Sequence, residues 1–286
     1  MSVPAFLAEY QRPVLAEIER LVGSGESAVE RSMAYTALAP SKQVRAGLVL
    51  LCAELCRGHA APAVPAAAAI ELVHASSLIL DDLPSMDDAP LRRGRRANHL
   101  EFGESVAILA AFGLLNLAYG SIARAYEPAL AVAMTSRISD AVGPSGLIGG
   151  QALDLAATSR PIDFETLERI HRGKTGALFV AAAVCGALTA GAAAEPIAAL
   201  SAYAKNLGLA FQIVDDLLDV AGDPRETGKA VRADARKTTF VSFSGVDGAR
   251  QLAAELCDTA DRALTPFGAK ADRLRELSRF VAARRL

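Results

Sequence analysis

Seven aspartates gathered in two short segments, each set on an apolar helical pattern, constrain this chain more than any other feature. The first segment reads Asp81-Asp82-Leu-Pro-Ser-Met-Asp87-Asp88 and the second Asp215-Asp216-Leu-Leu-Asp219. Like charges packed together destabilise a fold unless a cation lies among them. Basic residues follow each segment: Arg92, Arg93, Arg95 and Arg96 after the first, Lys229 and Lys237 after the second. A fold that buries the flanking apolar helices must give these carboxylates partners. Metal ions bridging them to a phosphate-rich ligand meet that demand.

Around the clusters, apolar residues recur at helical spacing almost everywhere, and strand alternation is nearly missing. The spacing predicts helices near 4–22, 44–57, 64–82, 103–126, 129–142, 146–157, 163–192, 196–221, 248–264 and 269–284. Breaks are expected at Gly23-Ser-Gly25, Pro40-Ser41, Gly58, Pro128, Pro161, Pro196, Gly222-Asp-Pro224 and Gly268. No linker or short repeat interrupts them. Residues 1–286 therefore read as one large all-α domain with a helix bundle at its centre.

Mean hydropathy is +0.26, high enough to raise the question of a membrane. The uncharged runs Ser105–Ala123 and Thr175–Ala194 approach spanning length, but they are rich in Ala and Gly, so both are expected as buried helices of a soluble protein. Met1 to Val22 carries Glu9, Arg12, Glu17, Glu19 and Arg20 and reads as neither a signal nor a transit peptide. The net charge of −2 provides no field for nucleic acid or for a membrane surface. Cys52, Cys56, Cys185 and Cys257 form no CxxC pair and read as small core residues. Together these features point to a cytoplasmic protein.

On a helix, Asp215, Asp216 and Asp219 project at roughly 0°, 100° and 40°, and Gln212 near 60°, so all four share one side. Pro84 ends the preceding helix after Asp82 and lets Asp87 fold back. His74 lies on the face of Asp81, about 10 Å along the helix. The alternating ligands of an EF-hand are missing, and carboxylate-only ligands suit Mg²⁺ or Mn²⁺ better than Zn²⁺. Lysine is rare, 6 against 24 arginines, yet Lys42, Lys174, Lys229 and Lys237 fall in loop-like contexts, as ammonium groups for phosphate would. Gly173-Lys174-Thr175 is no P-loop, because position 168 is Glu and no strand precedes it.

Taken together these segments resemble the trans-isoprenyl diphosphate synthases, the polyprenyl synthetase family. Asp81-Asp82-x4-Asp87 matches its first aspartate-rich motif, followed by Leu91-Arg92-Arg93-Gly94 and Asn98-His99. Phe211-Gln212-Ile-Val-Asp215-Asp216-Leu-Leu-Asp219 matches the second, with Gly228-Lys229 and Asp234-Ala-Arg-Lys237-Thr238 behind it and Lys174-Thr175-Gly176 between the two. The match runs from about residue 40 to 245, and Glu71–His99 looks especially like bacterial geranylgeranyl diphosphate synthases. Two segments depart: Arg232 and Arg236 stand where the family often has Gly, and the start of the match differs as well. Where the family has Gly-Gly-Lys-Arg-x-Arg-Pro, this chain reads Pro40-Ser41-Lys42-Gln43-Val44-Arg45-Ala46.

The resemblance implies an isoprenoid synthase fold with a central active-site cavity and a trans-prenyltransferase that joins isopentenyl diphosphate to an allylic diphosphate. It implies three Mg²⁺ ions, with Mn²⁺ as a substitute. Their ligands would be Asp81, Asp82, Asp87, Asp215 and Asp219, with Asp88 and Asp216 in support. The catalytic set would add Asp216, Lys174 and Lys229. Isopentenyl diphosphate would bind Lys42, Arg45, His74 and Arg93; the allylic diphosphate would bind Arg92, Lys174, Thr175, Gln212, Lys229 and Lys237. Small residues before the first motif, Ser76 and Ser77, would leave the product channel open to C20, geranylgeranyl diphosphate. A C15 synthase and a non-catalytic partner subunit are the alternatives. A class I terpene cyclase or a head-to-head synthase would carry a different second motif. A homodimer is expected, with no nucleic acid and no membrane insertion.

Overall fold

The computed structural model describes residues 4–23, 25–158, 160–221 and 238–283. Lys229 and Lys237 lie outside the described residues. The helices run in chain order as α1 (Ala5–Val22), α2 (Ala28–Ala37), α3 (Val44–Arg57), α4 (Val64–Asp81), α5 (Asn98–Phe102), α6 (Glu104–Ala125), α7 (Pro128–Val142), α8 (Leu147–Ala157), α9 (Phe164–His171), α10 (Ala177–Thr189), α11 (Ala194–Ala221), α12 (Phe240–Ala263) and α13 (Asp272–Ala282).

Helix α4 is apolar on every side, which forces it to the centre: Ala66 through Val73 are all buried. It packs against α6, α3, α1 and α10. Helix α10 is equally apolar all round and packs on α3 and α11. At its crossing with α3 the backbones nearly touch. A Cβ at Gly186 would lie 2.2 Å from the Val49 carbonyl oxygen, so a larger residue there would push the helices apart. Helix α11 carries the second aspartate segment and packs along α12. One continuous core runs through the bundle, and a smaller cluster around Ile213, Leu217 and Phe240 fixes α11 to α12.

Several expected boundaries move. Helix α2 was not expected; its signal is the capping box of Ser27 and Glu30, whose reciprocal bonds measure 3.1 and 3.0 Å. The helix expected over 163–192 is interrupted by a single π-turn, Arg172–Gly176. The helix expected from 248 begins at Phe240, capped by Thr239, and kinks at Gly245 (φ 69°). The last helix starts later than expected, because a 3₁₀ segment, Thr265–Ala271, precedes it. A two-stranded hairpin, β1 (Leu91–Arg92) and β2 (Arg95–Arg96), appears where no strand was expected. Arg93 and Gly94 both take positive φ in its tight turn.

The run Ser105–Ala123 is also only partly buried, against expectation. Ile108, Leu109 and Phe112 on α6 face outward, Phe112 being 65% exposed. By length and composition α4, α6 and α11 would each suffice to cross a bilayer, although two-thirds of the α4 window is enclosed by the bundle.

Candidate active site

The first aspartate segment is shaped by the end of α4. Asp81 is the last helical residue and Asp82 its C-cap. With Pro84 in the turn, the chain reverses: the Asp87 N–H donates to the Asp81 carbonyl (3.0 Å) and the Ala89 N–H to that of Asp82 (3.2 Å). Asp87 is thereby brought back beside Asp81, while Asp88 points to solvent in a left-handed conformation.

The two adjacent aspartates have different surroundings. Asp82 is buried and grips Arg92 of β1. Nε donates to both carboxylate oxygens at 2.9 and 3.1 Å, and Nη2 also donates to Oδ1. Burial alone would lower the pKa of Arg92, but the Asp82 carboxylate raises it overall, so the pair stays charged. Asp81 instead faces the π-turn. Lys174 Nζ lies 3.1 Å from its Oδ1, yet that buried oxygen receives no aligned hydrogen bond. Lys174 also meets Asp154 of α8 at 2.8 Å. This meeting depends on glycine: a Cβ at Gly150 would lie 2.2 Å from the Lys174 backbone nitrogen, so α8 and the π-turn approach only because Gly150 has no side chain.

The residue after Lys174 turns to the other segment. Thr175 Oγ1 donates to Gln212 Oε1 (2.8 Å), and Gln212 Nε2 donates to Asp216 Oδ1 (3.0 Å). The second oxygen of buried Asp216 accepts the Phe240 N–H at the start of α12 (3.0 Å). Asp216 thus ties α11 to α12, while Asp215 and Asp219, one turn apart, are only partly buried. Successive residues of one π-turn therefore reach Asp81 on α4 and Gln212 on α11. The two aspartate segments flank that turn. Single π-turns are a frequent mark of functional sites.

A basic pocket lies toward α3. Arg45 Nη1 is 3.3 Å from His74 Nε2, and its guanidinium lies over the Phe179 and Phe211 rings at 4.8 and 5.9 Å. Burial, then the charges of Arg45, Arg93 and Arg92, hold the His74 pKa well below the ordinary value, so the imidazole is neutral and accepts from Arg45. Arg93 donates to the Ala39 carbonyl (3.2 Å), and Lys42 lies over the Phe280 ring at 5.9 Å. Ser77, one turn before Asp81, is partly buried, with its hydroxyl bonded to the His74 carbonyl. Ser76 points elsewhere, donating to the Ala111 carbonyl in the contact with α6 (2.8 Å).

Sequence reasoning passed over three residues. Asp154 and Gln151 share a face of α8, signalled by Gly149-Gly150-Gln151-x-x-Asp154, and Gln151 reaches Met86 between the two aspartate pairs. Glu71 is the sole acid in the apolar run 64–80, and its Oε1 accepts the Ala46 N–H (3.0 Å).

The donor set fits divalent cations of the Mg²⁺ kind. Asp81 Oδ1 and Gln151 Oε1 are buried oxygens without a hydrogen bond. Among the described residues no three acidic, His or Cys side chains close into a metal cage, and Mg²⁺ is commonly held by one or two carboxylates plus substrate phosphates.

Comparison with known proteins gives the family. The family profile described as polyprenyl synthetase matches residues 26–259. A farnesyl diphosphate synthase of Geobacillus stearothermophilus is 36% identical over 99% of this chain and 98% of its own. A chloroplastic geranylgeranyl pyrophosphate synthase of Arabidopsis thaliana is 41% identical, covering 90% and 74% of the two chains. Among solved structures, an apo FPP/GFPP synthase of Zymomonas mobilis superposes with a TM-score of 0.88 at 32% identity, over 98% of this chain and 99% of that one. A geranyltransferase of Helicobacter pylori, complexed with magnesium and isoprenyl diphosphate, gives 0.83 at 28% identity, over 98% and 97%.

Proposed function

The chain belongs to the polyprenyl synthetase family, and we propose that it condenses isopentenyl diphosphate with an allylic diphosphate of C5 to C15 to give an all-trans prenyl diphosphate, geranylgeranyl diphosphate (C20), releasing diphosphate. The observation that carries this reading is the π-turn, whose Lys174 meets Asp81 while Thr175 meets Gln212. The turn presents an ammonium group and a hydroxyl between two carboxylate segments, where an allylic diphosphate would sit.

Asp81, Asp87, Asp215 and Asp219 would hold Mg²⁺, three ions per site by family resemblance, which when bound neutralises the leaving diphosphate. Asp82 and Asp216 serve as anchors: Asp82 orients Arg92 toward the allylic diphosphate, and Asp216 orients Gln212. Lys174, positioned by Asp154, adds charge on the leaving group, as do Lys229 and Lys237 by resemblance. The C–O bond breaks with its electron pair going to diphosphate, leaving an allylic cation. Preorganised cations favour that charge separation. Thr175 and Gln212 turn oxygen dipoles toward the cation. The double bond of isopentenyl diphosphate, held by Lys42, Arg45, His74 and Arg93, attacks the cation to form the new C–C bond. The proton then lost passes to the departed diphosphate. Apolar walls keep water from the cation.

The small side chain of Ser77, one turn before Asp81, favours C20 over C15. Ser76, bonded into the α4–α6 contact, contributes less to the channel. The outward Ile108, Leu109 and Phe112 of α6 suit a homodimer interface. The enzyme works in the cytoplasm on soluble diphosphates. Mg²⁺-dependent release of diphosphate by the purified chain, requiring both substrates, tests the reading. Release that needs a second protein would favour the partner-subunit alternative.

A further inference from the structure

Glu71 has no part in the chemistry above, yet it occupies the basic pocket. It is 7% exposed, and it is the only acid in α4 before Asp81. Its Oε1 accepts the Ala46 N–H near the start of α3 at 3.0 Å. That helix has no local cap, because Gln43 at its N-cap is in the left-handed region (φ 45°) and makes no side-chain capping bond. Glu71 therefore caps α3 from another helix, next to Arg45. Burial raises the pKa of its carboxyl above the ordinary value, while the charge of Arg45, the Ala46 N–H and the charge of Arg93 oppose that rise and favour the carboxylate; His74, three residues on, accepts from Arg45.

We propose that Glu71 is the resident counter-charge of the isopentenyl diphosphate subsite, balancing Arg45 and Arg93 while no diphosphate is bound and opposing the diphosphate when it enters. The inference rests on the assignment of Arg45 and Arg93 to that subsite. Its logic is linkage: a carboxylate that stabilises the empty pocket more than the filled one lowers affinity by that difference. Glu71 thus limits how tightly isopentenyl diphosphate binds, through the two arginines and without touching the reacting carbons.

Two substitutions separate charge from anchoring. Glu71→Gln keeps the shape and an oxygen for the Ala46 N–H but removes the charge. Ala46→Pro removes the N–H and keeps the charge; that N–H lies in the first turn of α3 and has no partner within the helix, so no intrahelical bond is lost. Without its anchor the carboxylate can turn fully to the arginines. The full chain is titrated calorimetrically with isopentenyl diphosphate alone. Glu71→Gln is expected to bind about tenfold more tightly, the scale of one unit charge acting across a partly polar interior. Ala46→Pro is expected to bind severalfold more weakly, and KM for the allylic substrate should stay unchanged in both. A general loss of packing would weaken binding in both variants. Unchanged or weaker binding by Glu71→Gln overturns the inference. If that variant does not fold, unchanged or tighter binding by Ala46→Pro overturns it. If the unsubstituted chain binds no isopentenyl diphosphate, the subsite assignment itself falls; if it binds and only the variants disagree, Glu71 alone is misread.

Discussion

Replacing Asp82 with Ala should unfold the protein more readily before it says anything about metal binding. Asp82 is 2% exposed, and its partner Arg92 has 16% of its side chain exposed. The substitution removes both acceptors of Arg92 Nε and leaves a largely buried guanidinium facing Asp81 3.8 Å away. Breaking a buried pair from one side costs about 3–5 kcal/mol. For a chain of this size that lowers Tm by about 5–8 °C. Thermal unfolding followed by far-ultraviolet circular dichroism measures the loss. The double substitution Asp82→Ala with Arg92→Leu should recover part of it, since no charge is then stranded. A Tm within about 2 °C of the unsubstituted chain, together with a raised Mg²⁺ requirement, would refute the anchoring role and return Asp82 to the metal ligands.

Other perturbations separate the remaining roles. Asp81→Ala and Asp215→Ala should each cut kcat by about 10³-fold or more with Tm nearly unchanged; near-normal turnover in either removes that residue from the metal site. Asp216→Ala strands the buried Phe240 N–H and should cost about 1–3 kcal/mol in urea denaturation, and no loss would count against its tie to α12. The depressed pKa of His74 means that only the unfolded state takes up a proton as pH falls below about 6.5. Its contribution is complete above that pH and is lost below it, down to the folded-state pKa. His74→Gln should therefore flatten the stability profile between about pH 6.5 and 5, and an unaltered slope would contradict a neutral buried imidazole. Ser77→Phe should shorten the main product to C15, whereas unchanged chain length would rule out a channel beneath Asp81.

The all-α architecture was legible because α4 and α10 are so uniformly apolar, and the reversal at Pro84 followed from proline chemistry. The division of labour within each aspartate pair was not. Helical angles put Asp215, Asp216 and Asp219 on one side, but whether a carboxylate faces a ligand or the N–H of Phe240 depends on how α12 packs, and no local pattern encodes that packing. The same holds for Asp82, claimed by an arginine on a hairpin too short to show alternation. The π-turn was hidden because a one-residue expansion leaves the apolar periodicity of 163–192 nearly intact. Glu71 had a signal, a lone acid in an apolar helix, whose meaning appears only once Ala46 is seen against it.

The most direct test is to size the product. Purified protein with Mg²⁺ and isopentenyl diphosphate is incubated separately with C5, C10 and C15 allylic diphosphates, and the dephosphorylated alcohols are separated by chromatography. Elongation from each starter to a C20 alcohol is expected. No elongation from any starter, or release of a cyclic hydrocarbon, would contradict it.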